Sequence, residues 1–252
     1  MPQNDTLTGI ELEFDSGFIP PPYSHVYRIS LDWSKGELQA KLDLHYTDRE
    51  ELSENEILDE GFTPNDDYSY DGPLNNTWIK AISEKLANTK WSGKSLEEGG
   101  IIIKPIESGN VGKVKVPADQ EDWIVFGQDI IQAIYETSKK EAPLTIHYRL
   151  VDTETIKDCF ITIRFSDREV IFTEGNETRK INWEYTVQLM KLIFTPDYHY
   201  ELAKEEPGKK RGAYIECGDG LWHELGKGVV NIDPSNDVVK RIKEIFSDLL
   251  ND

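Results

Sequence analysis

The sequence predicts an α+β protein made of two copies of one β-β-(β)-α-β-β-α unit. Short runs of alternating apolar and polar residues, helical stretches after them, and patterns that occur twice in the same order lead to this prediction. Hairpins give antiparallel pairing, and helices must cover the apolar face of each sheet. We therefore expect two antiparallel sheets, each covered by helices, in copies at residues 1–142 and 143–252 that are related by a pseudo-two-fold axis.

The repeat is carried by four short patterns that indicate a tandem duplication. An apolar, any, aromatic, hydroxyl, Asp-Arg-Glu pattern occurs at residues 44–50 and again at 163–169. A Tyr-Arg pair precedes each occurrence, and a helical stretch that begins at Trp78 or Trp183 follows it. A Gly-Lys pair that leads into a strand and a helix completes each copy.

The first copy contains a hairpin whose register follows from its apolar residues. Apolar residues alternate on both sides of a four-residue turn, and pairing across this turn puts Ile29 opposite Leu42 and Arg28 opposite Asp43. Residues 8–14 alternate in the same way and predict an additional N-terminal strand. We expect this strand to have no counterpart in the second copy.

The second copy is expected to repeat the hairpin and the final helix. Residues 144–150 and 161–165 alternate and predict paired strands. Each copy ends in an amphipathic stretch that predicts a helix. Asp119 is the expected N-cap of the first helix, and Asp233-Pro234 is the expected start signal of the second, because Asp accepts hydrogen bonds from free amides and Pro has no amide to leave unsatisfied.

The charge of the chain favours a basic protein as the partner. The sequence has 28 Lys and Arg residues against 47 Asp and Glu residues, a formal net charge of −19 at pH 7. Residues 1–142 carry −14 of this and residues 143–252 carry −5. Binding to nucleic acid or to an anionic membrane depends on clustered Lys and Arg. We therefore expect neither nucleic acid nor a membrane to be the partner.

An acidic insert at about residues 51–72 distinguishes the first copy from the second. Between Asp48 and Asp71 the sequence has ten carboxylates and one arginine, with three aromatic residues among them. Like charges repel, so this composition predicts a mobile, solvated loop of low stability. As a docking element it would bind the partner through Asp59, Glu60, Phe62, Asp66, Asp67, Tyr68, Tyr70 and Asp71. Alternatively, its aromatic residues hold the loop against its own domain.

No catalytic, cofactor or metal motif is found in the sequence. Cys159 and Cys217 lack the spacing of a zinc site and are too few for a disulfide framework. The N-terminal residues lack the apolar region of a secretory signal. We expect a non-enzymatic cytoplasmic interaction protein without cofactor or metal, either an adaptor or an inhibitor of the immunity type.

The alternative function is an enzyme or a small-ligand binder with its site in the cleft between the two copies. Ligand sites are frequent at domain interfaces. The residues expected in such a cleft are Arg28, Asp43 and His45 of the first copy and Arg149 and Arg164 of the second.

Overall fold

The computed structural model describes residues 6–251 and shows an α+β protein with two antiparallel six-stranded sheets. The chain forms two compact units, the first ending at Glu141 and the second beginning at Ala142. Residues 1–5 and 252 of the two predicted domains lie outside the described residues. Among residues 6–251, no helix combines the length and hydrophobicity that crossing a membrane requires.

The two units contain strands and helices in a similar succession. The first unit contains β1 (Leu7–Asp15), β2 (His25–Asp32), β3 (Gln39–Tyr46), α1 (Glu54–Asp59), β4 (Tyr68–Pro73), α2 (Thr77–Asn88), β5 (Trp91–Ser92), β6 (Gly100–Glu107), β7 (Asn110–Val111), β8 (Val116–Pro117) and α3 (Gln120–Thr137). The second unit contains β9 (Leu144–Val151), β10 (Ile156–Arg164), β11 (Glu169–Glu174), β12 (Glu177–Ile181), α4 (Trp183–Ile193), β13 (Asp197–Tyr198), a 3-10 helix (Tyr200–Leu202), β14 (Gly212–Glu216), β15 (Trp222–Glu224), β16 (Val229–Val230) and α5 (Val238–Leu249).

Both large sheets have the same strand order relative to the chain. The first sheet has the order β4-β3-β2-β1-β6-β7, and the second has the order β12-β11-β10-β9-β14-β15. β1, predicted to be an extra strand without counterpart, therefore occupies the same position as β9. The repeated sequence patterns instead equate β2 with β9 and β3 with β10, so they do not mark equivalent strands.

The register predicted for the first hairpin and the strand pairing predicted for the second are confirmed. Ile29 pairs with Leu42, and Arg28 pairs with Asp43, between β2 and β3. In the second unit, β9 and β10 pair antiparallel with apolar residues opposite each other along one face. The registers were predictable because a shift by one residue would turn every apolar side chain away from the core.

The first sheet has one apolar and one polar face. The buried residues of its apolar face include Ile10, Leu12, Tyr27, Ile29, Leu31, Leu42, Ile101 and Ile103. The helix α3 packs on this face, where Gly127 lies against Tyr27 and Ile101, and Trp78 of α2 contacts Phe126 of α3 edge to face at 5.8 Å. The opposite face is accessible and is called here the open face. It carries polar side chains, among them Glu13 of β1, Arg28 of β2 and Asp43 of β3.

The acidic insert contains a helix and a strand, where the sequence predicts a loop. Ser53 and Glu56 form a capping box that starts α1, because each side chain accepts a hydrogen bond from the backbone amide of the other. The end of the insert forms β4, in which Tyr68 pairs with Leu44 of β3 and Tyr70 pairs with Leu42. The two tyrosines alternate with polar residues as strand residues do, a signal that the density of carboxylates concealed.

The starts of the two final helices differ from each other in their caps. Asp119 is the N-cap of α3 as predicted, and its carboxylate accepts a hydrogen bond from the Asp122 amide at 3.0 Å. α5 is capped by Asp237 and not by Asp233. The Asp233 carboxylate instead accepts from the amide of Ser235, so it stabilises the turn before the helix.

Candidate functional site

Arg49 fixes the acidic insert to the rest of the first unit. Its Nε and Nη2 donate to the Pro22 carbonyl oxygen at 3.0 and 2.7 Å. Its Nη1 donates to the Thr63 carbonyl oxygen and to Asp66 Oδ2, both at 3.0 Å. Burial alone would raise the pKa of Asp66, but hydrogen bonds from Thr63 and Arg49 hold this pKa below its usual value. Arg49 thereby joins the β1–β2 connection to the insert.

Aromatic rings surround the Arg49 guanidinium. Its Cζ lies 3.9 Å from the centroid of the Tyr46 ring and 4.9 Å from that of Phe62. The Phe62 ring contacts Tyr23 at 5.2 Å and Tyr46 at 5.6 Å, both edge to face. Such pairs stabilise a cluster beyond the area that they bury. Phe62 thus holds the insert on its own unit.

Asp67 ties the insert to the end of β3. Its Oδ1 accepts a hydrogen bond from the Tyr46 amide at 2.8 Å, and its Oδ2 lies 2.9 Å from His45 Nδ1. The hydrogen bond with His45 is the main reason that the pKa of Asp67 lies below its usual value. Asp67 therefore has partners within the first unit.

The two tyrosines of β4 also have partners within the first unit. The Tyr68 hydroxyl donates to Ser138 Oγ at 2.7 Å, and its ring contacts Tyr135 edge to face at 5.0 Å. The Tyr70 hydroxyl donates to the Pro73 carbonyl oxygen at 2.7 Å. The contacts of Tyr68 and Tyr70 therefore agree with the second interpretation of the insert, in which its aromatic residues hold it in place.

Six exposed carboxylates, apart from Glu56 of the capping box, lie on α1 or close to it in the sequence. They are Asp48, Glu50, Glu51, Glu54, Asp59 and Glu60. Asp71 is exposed as well, but it lies on β4 and pairs with Lys41 at 2.9 Å. Of the residues predicted to bind a partner, Asp59 and Glu60 stand at the end of α1 on a backbone that the Arg49 contacts keep in place.

Exposed apolar side chains accompany these carboxylates. Tyr23 and Leu58 are about half exposed, and the Tyr23 hydroxyl donates to Glu60. Tyr23, Leu58 and the six exposed carboxylates are called here the α1 surface. In the same β1–β2 connection, Phe18 is 83% exposed and Ile19 is 47% exposed.

The sequence analysis did not identify Phe18 and Ile19, although a signal for them exists. Both precede three consecutive prolines, Pro20 to Pro22, and belong to no alternating or helical pattern. An apolar pair outside any strand or helix pattern does not belong to an apolar face that packs against a core. This signal is present in the sequence and predicts exposed apolar side chains.

A groove of about 690 Å³ lies on the open face of the first sheet. Arg28, Asp43 and His45 line it, so the structure brings together three of the residues that the sequence predicts for a cleft. Val26 of β2 and Ile102 of β6 also line it, and both are half-buried. The connection before β6 contributes a further part of its lining. The groove belongs entirely to the first unit.

Glu13 neutralises two cations on the open face. Arg28 Nη2 lies 2.5 Å from Glu13 Oε1, and Lys104 Nζ lies 2.7 Å from the same oxygen. Burial alone would raise the pKa of Glu13, but the hydrogen bond and charge of Lys104, with those of Arg28, lower it below its usual value. Arg28 is thus already paired inside the groove.

The cleft residues predicted in the second copy have ion-pair partners in the second unit. Arg149 makes two parallel contacts with Asp158, Nε to Oδ1 at 2.6 Å and Nη2 to Oδ2 at 2.7 Å. Arg164 Nη1 lies 3.2 Å from Glu169 Oε2. A site shared between these arginines and the first unit stays a prediction.

The two thiols are in environments that keep them protonated. Burial raises the pKa of Cys159 to about 12 and that of Cys217 to about 12. A thiol of this pKa is a poor nucleophile at neutral pH. In residues 6–251, no group of three or more His, Cys, Asp and Glu side chains is arranged to hold a metal ion.

Comparison with protein-family models, with characterised proteins and with solved structures gives no match for this chain.

Proposed function

We propose that the chain is a non-enzymatic binding protein, an adaptor or an inhibitor, that captures a basic protein through its first unit. The observation that carries this proposal is the α1 surface. There, exposed carboxylates and half-exposed apolar side chains stand on a backbone held by Arg49. A rigid surface loses little conformational entropy on binding, which favours affinity.

The charge of the first unit supports a basic partner. Residues 1–142 have a net charge of −14, and an acidic field accelerates association with a positively charged protein. Apolar anchors within a polar rim are typical of the residues that dominate binding energy. An interface of standard size covers about 800 Å² on each partner. Phe18 is a further exposed apolar side chain in the β1–β2 connection, which also carries Tyr23 of the α1 surface.

This proposal changes the roles of the predicted partner-binding residues. Asp59 and Glu60 contact the partner. Phe62, Asp66, Asp67, Tyr68 and Tyr70 position the insert, since all five are engaged with residues of the first unit.

The proposal is tested by affinity capture from the native host with paired double variants. Glu51→Gln with Glu54→Gln removes two charges from the α1 surface. Glu37→Gln with Glu107→Gln removes two equally exposed charges elsewhere in the first unit. We expect the wild type and the control variant to capture a basic protein in equal amounts. The α1 variant should capture less of it. Rising salt should reduce the amount captured by all three proteins.

Two results would contradict the proposal. The first is capture of a neutral or acidic protein with no dependence on salt. The second is an equal loss of capture in both double variants, because the α1 surface would then have no special part.

We infer further that the two units arose by tandem duplication. The shared strand order supports this inference. An experimental structure should allow β1, β2 and β3 to superpose on β9, β10 and β11. A better fit of β2 and β3 on β9 and β10 would contradict it.

We place the protein in the cytoplasm, because Cys159 and Cys217 are both free thiols and a reducing compartment keeps them so. Fractionation of the native host checks this placement. Recovery of the protein from an oxidising compartment would contradict it.

A further inference from the structure

Apolar side chains contribute separate parts of the lining of the groove on the open face. Val26, Ile102 and Leu96 are all half-buried and all line it, with β1 between Val26 of β2 and Ile102 of β6. Gly100 also lines the groove, and Leu96 lies against it. A volume of about 690 Å³ lies within the range of ligand sites.

The basic side chains of the groove have acidic partners, whereas several carboxylates keep free acceptor capacity. Arg28 is paired with Glu13, and His45 is hydrogen-bonded to Asp67 outside the groove. By contrast, Asp43 accepts one hydrogen bond, to Oδ1, from Ser69 Oγ at 2.9 Å. A carboxylate has about four acceptor positions.

Two further carboxylates line the groove. Asp15 Oδ1 accepts from the Gly17 amide at 2.8 Å, and Glu97 is exposed at the rim. Asp15 lies on β1 directly opposite Val26 of β2, and Val26 lies opposite His45 of β3. Since neighbouring strands lie about 4.8 Å apart, a group resting on Val26 has Asp15 of β1 on one side and His45 of β3 on the other. Asp43 lies two residues along β3 from His45.

We propose that this groove binds a guanidinium group, either that of a free small molecule or that of an arginine side chain presented by another protein. The planar face of a guanidinium is weakly hydrated and suits contact with an apolar side chain such as Val26. Its N–H groups lie in the plane and point outwards, towards carboxylates such as Asp15 and Asp43 of the neighbouring strands. An ammonium group is compact and strongly hydrated, so the apolar contact disfavours it.

The inference goes beyond the capture of a partner at the α1 surface, because no residue of the α1 surface is among the described residues that line the groove. The first arm of the test titrates the full chain with N-acetyl-L-arginine amide while backbone amide shifts are recorded by NMR. We expect saturable shifts at Val26, Asp43 and Gly100. The corresponding lysine compound should bind at least about threefold more weakly.

The second arm uses a hexaarginine peptide to distinguish the two sources of the group. If the peptide binds more tightly per arginine than the arginine compound does, the natural ligand is an arginine side chain of a protein. If the two bind equally per arginine, the natural ligand is a free small molecule. Absence of saturable shifts at the groove with both probes overturns the inference. Equal binding of the arginine and lysine compounds overturns it as well.

A matched pair of variants tests whether the NMR shifts arise from binding in the groove. Asp43→Asn removes the charge but keeps an acceptor for Ser69. Asp71→Asn removes an exposed charge from the same sheet face outside the groove. We expect Asp43→Asn to weaken binding of the arginine compound about two- to fivefold and Asp71→Asn to leave it unchanged.

An equal effect of the two variants overturns the inference, provided that both spectra retain the dispersion of the folded wild type. The measurement needs no protein partner. Failure of the groove to bind the arginine compound therefore leaves the proposed capture at the α1 surface standing, and loss of that capture leaves the groove standing.

Discussion

Arg49 donates two of its hydrogen bonds to the carbonyl oxygen of Pro22, at 3.0 and 2.7 Å. This contact joins the residue just before the acidic insert to the connection between β1 and β2. A guanidinium can make such a bifurcated contact and also stack between rings, which a single ammonium cannot do. Arg49 is therefore one of the side chains that fix the position of the α1 surface on the first unit.

Substitution of Arg49 by lysine should destabilise the first unit. The side chain is only 10% exposed, and lysine cannot replace its four hydrogen bonds to Pro22, Thr63 and Asp66. We expect a loss of about 2 kcal/mol in urea denaturation. Arg211→Lys is the matched control, since Arg211 is 75% exposed and pairs with one carboxylate. Similar losses in both variants would contradict the role given to Arg49.

Substitution of Phe62 by alanine should cost more stability than substitution of Phe18. Phe62 is half-buried and contacts Tyr23, Tyr46 and Arg49, whereas Phe18 is 83% exposed. We expect Phe62→Ala to lower the free energy of unfolding by about 2 to 3 kcal/mol. Phe18→Ala should stay within about 0.5 kcal/mol of the wild type. Thermal and urea denaturation of both variants measure this, and a stable Phe62→Ala protein would show that the insert is held by other contacts.

Acid should weaken the first unit through Asp66. The pKa of Asp66 is lowered in the folded state: burial opposes this change, and the hydrogen bonds from Thr63 and Arg49 outweigh burial. A carboxylate of this kind contributes fully above its unfolded pKa of about 3.9, and the contribution is lost as the pH falls through the folded pKa. The stability difference between the wild type and Asp66→Asn should therefore be constant above about pH 5 and should shrink below about pH 4. Urea denaturation across this range, with Asp59→Asn as the exposed control, would contradict the prediction if the difference did not change with pH.

Both cysteines should resist thiol reagents in the native protein. Burial raises the pKa of Cys159 to about 12 and that of Cys217 to about 12, so almost no thiolate is present at pH 8. We expect slow reaction with a chromogenic disulfide until denaturant is added, and then reaction of both thiols. Rapid labelling of Cys217 in the native state would show that its surroundings open.

Alanine at position 127 should destabilise α3 although alanine favours helices. A Cβ on Gly127 would lie within 2.3 Å of the Tyr27 hydroxyl oxygen, closer than such contacts allow. We expect Gly127→Ala to cost about 1 to 3 kcal/mol. Gly93→Ala is the control, because its added Cβ would meet open space. The double variant Gly127→Ala with Tyr27→Phe should recover part of the loss, and no recovery would place the strain elsewhere.

The part of the fold that could be predicted from sequence is the part in which neighbouring segments pair. The alternation around Ile29 and Leu42 fixes a hairpin, because any other register exposes apolar residues. The pairing of β1 with β6 joins Phe14 to Ile101, far apart along the chain. The alternation of apolar and polar residues predicts that both segments are strands. It does not show which strands pair with each other.

The candidate site was less predictable for a similar reason. Composition identified the acidic insert, but like charges favour a solvated loop only when nothing neutralises or anchors them. Here Arg49 and the Phe62 ring anchor the insert, and these contacts depend on Pro22 and Tyr23 from another part of the chain. The groove likewise needs the segment before β6 to line it, so Arg28, Asp43 and His45 were found by residue type while their surroundings were not.

The central place of β1 in its sheet has a consequence for the chain as it is synthesised. β1 to β4 can form a meander as soon as Pro73 has been made, but the other edge of β1 finds its partner only with Gly100–Glu107. During that interval the nascent protein presents the unpaired backbone groups of an apolar strand, the kind of edge that joins to other chains. β9 waits in the same way for Gly212–Glu216. Each unit is therefore most exposed to aggregation just before its last large strand emerges from the ribosome.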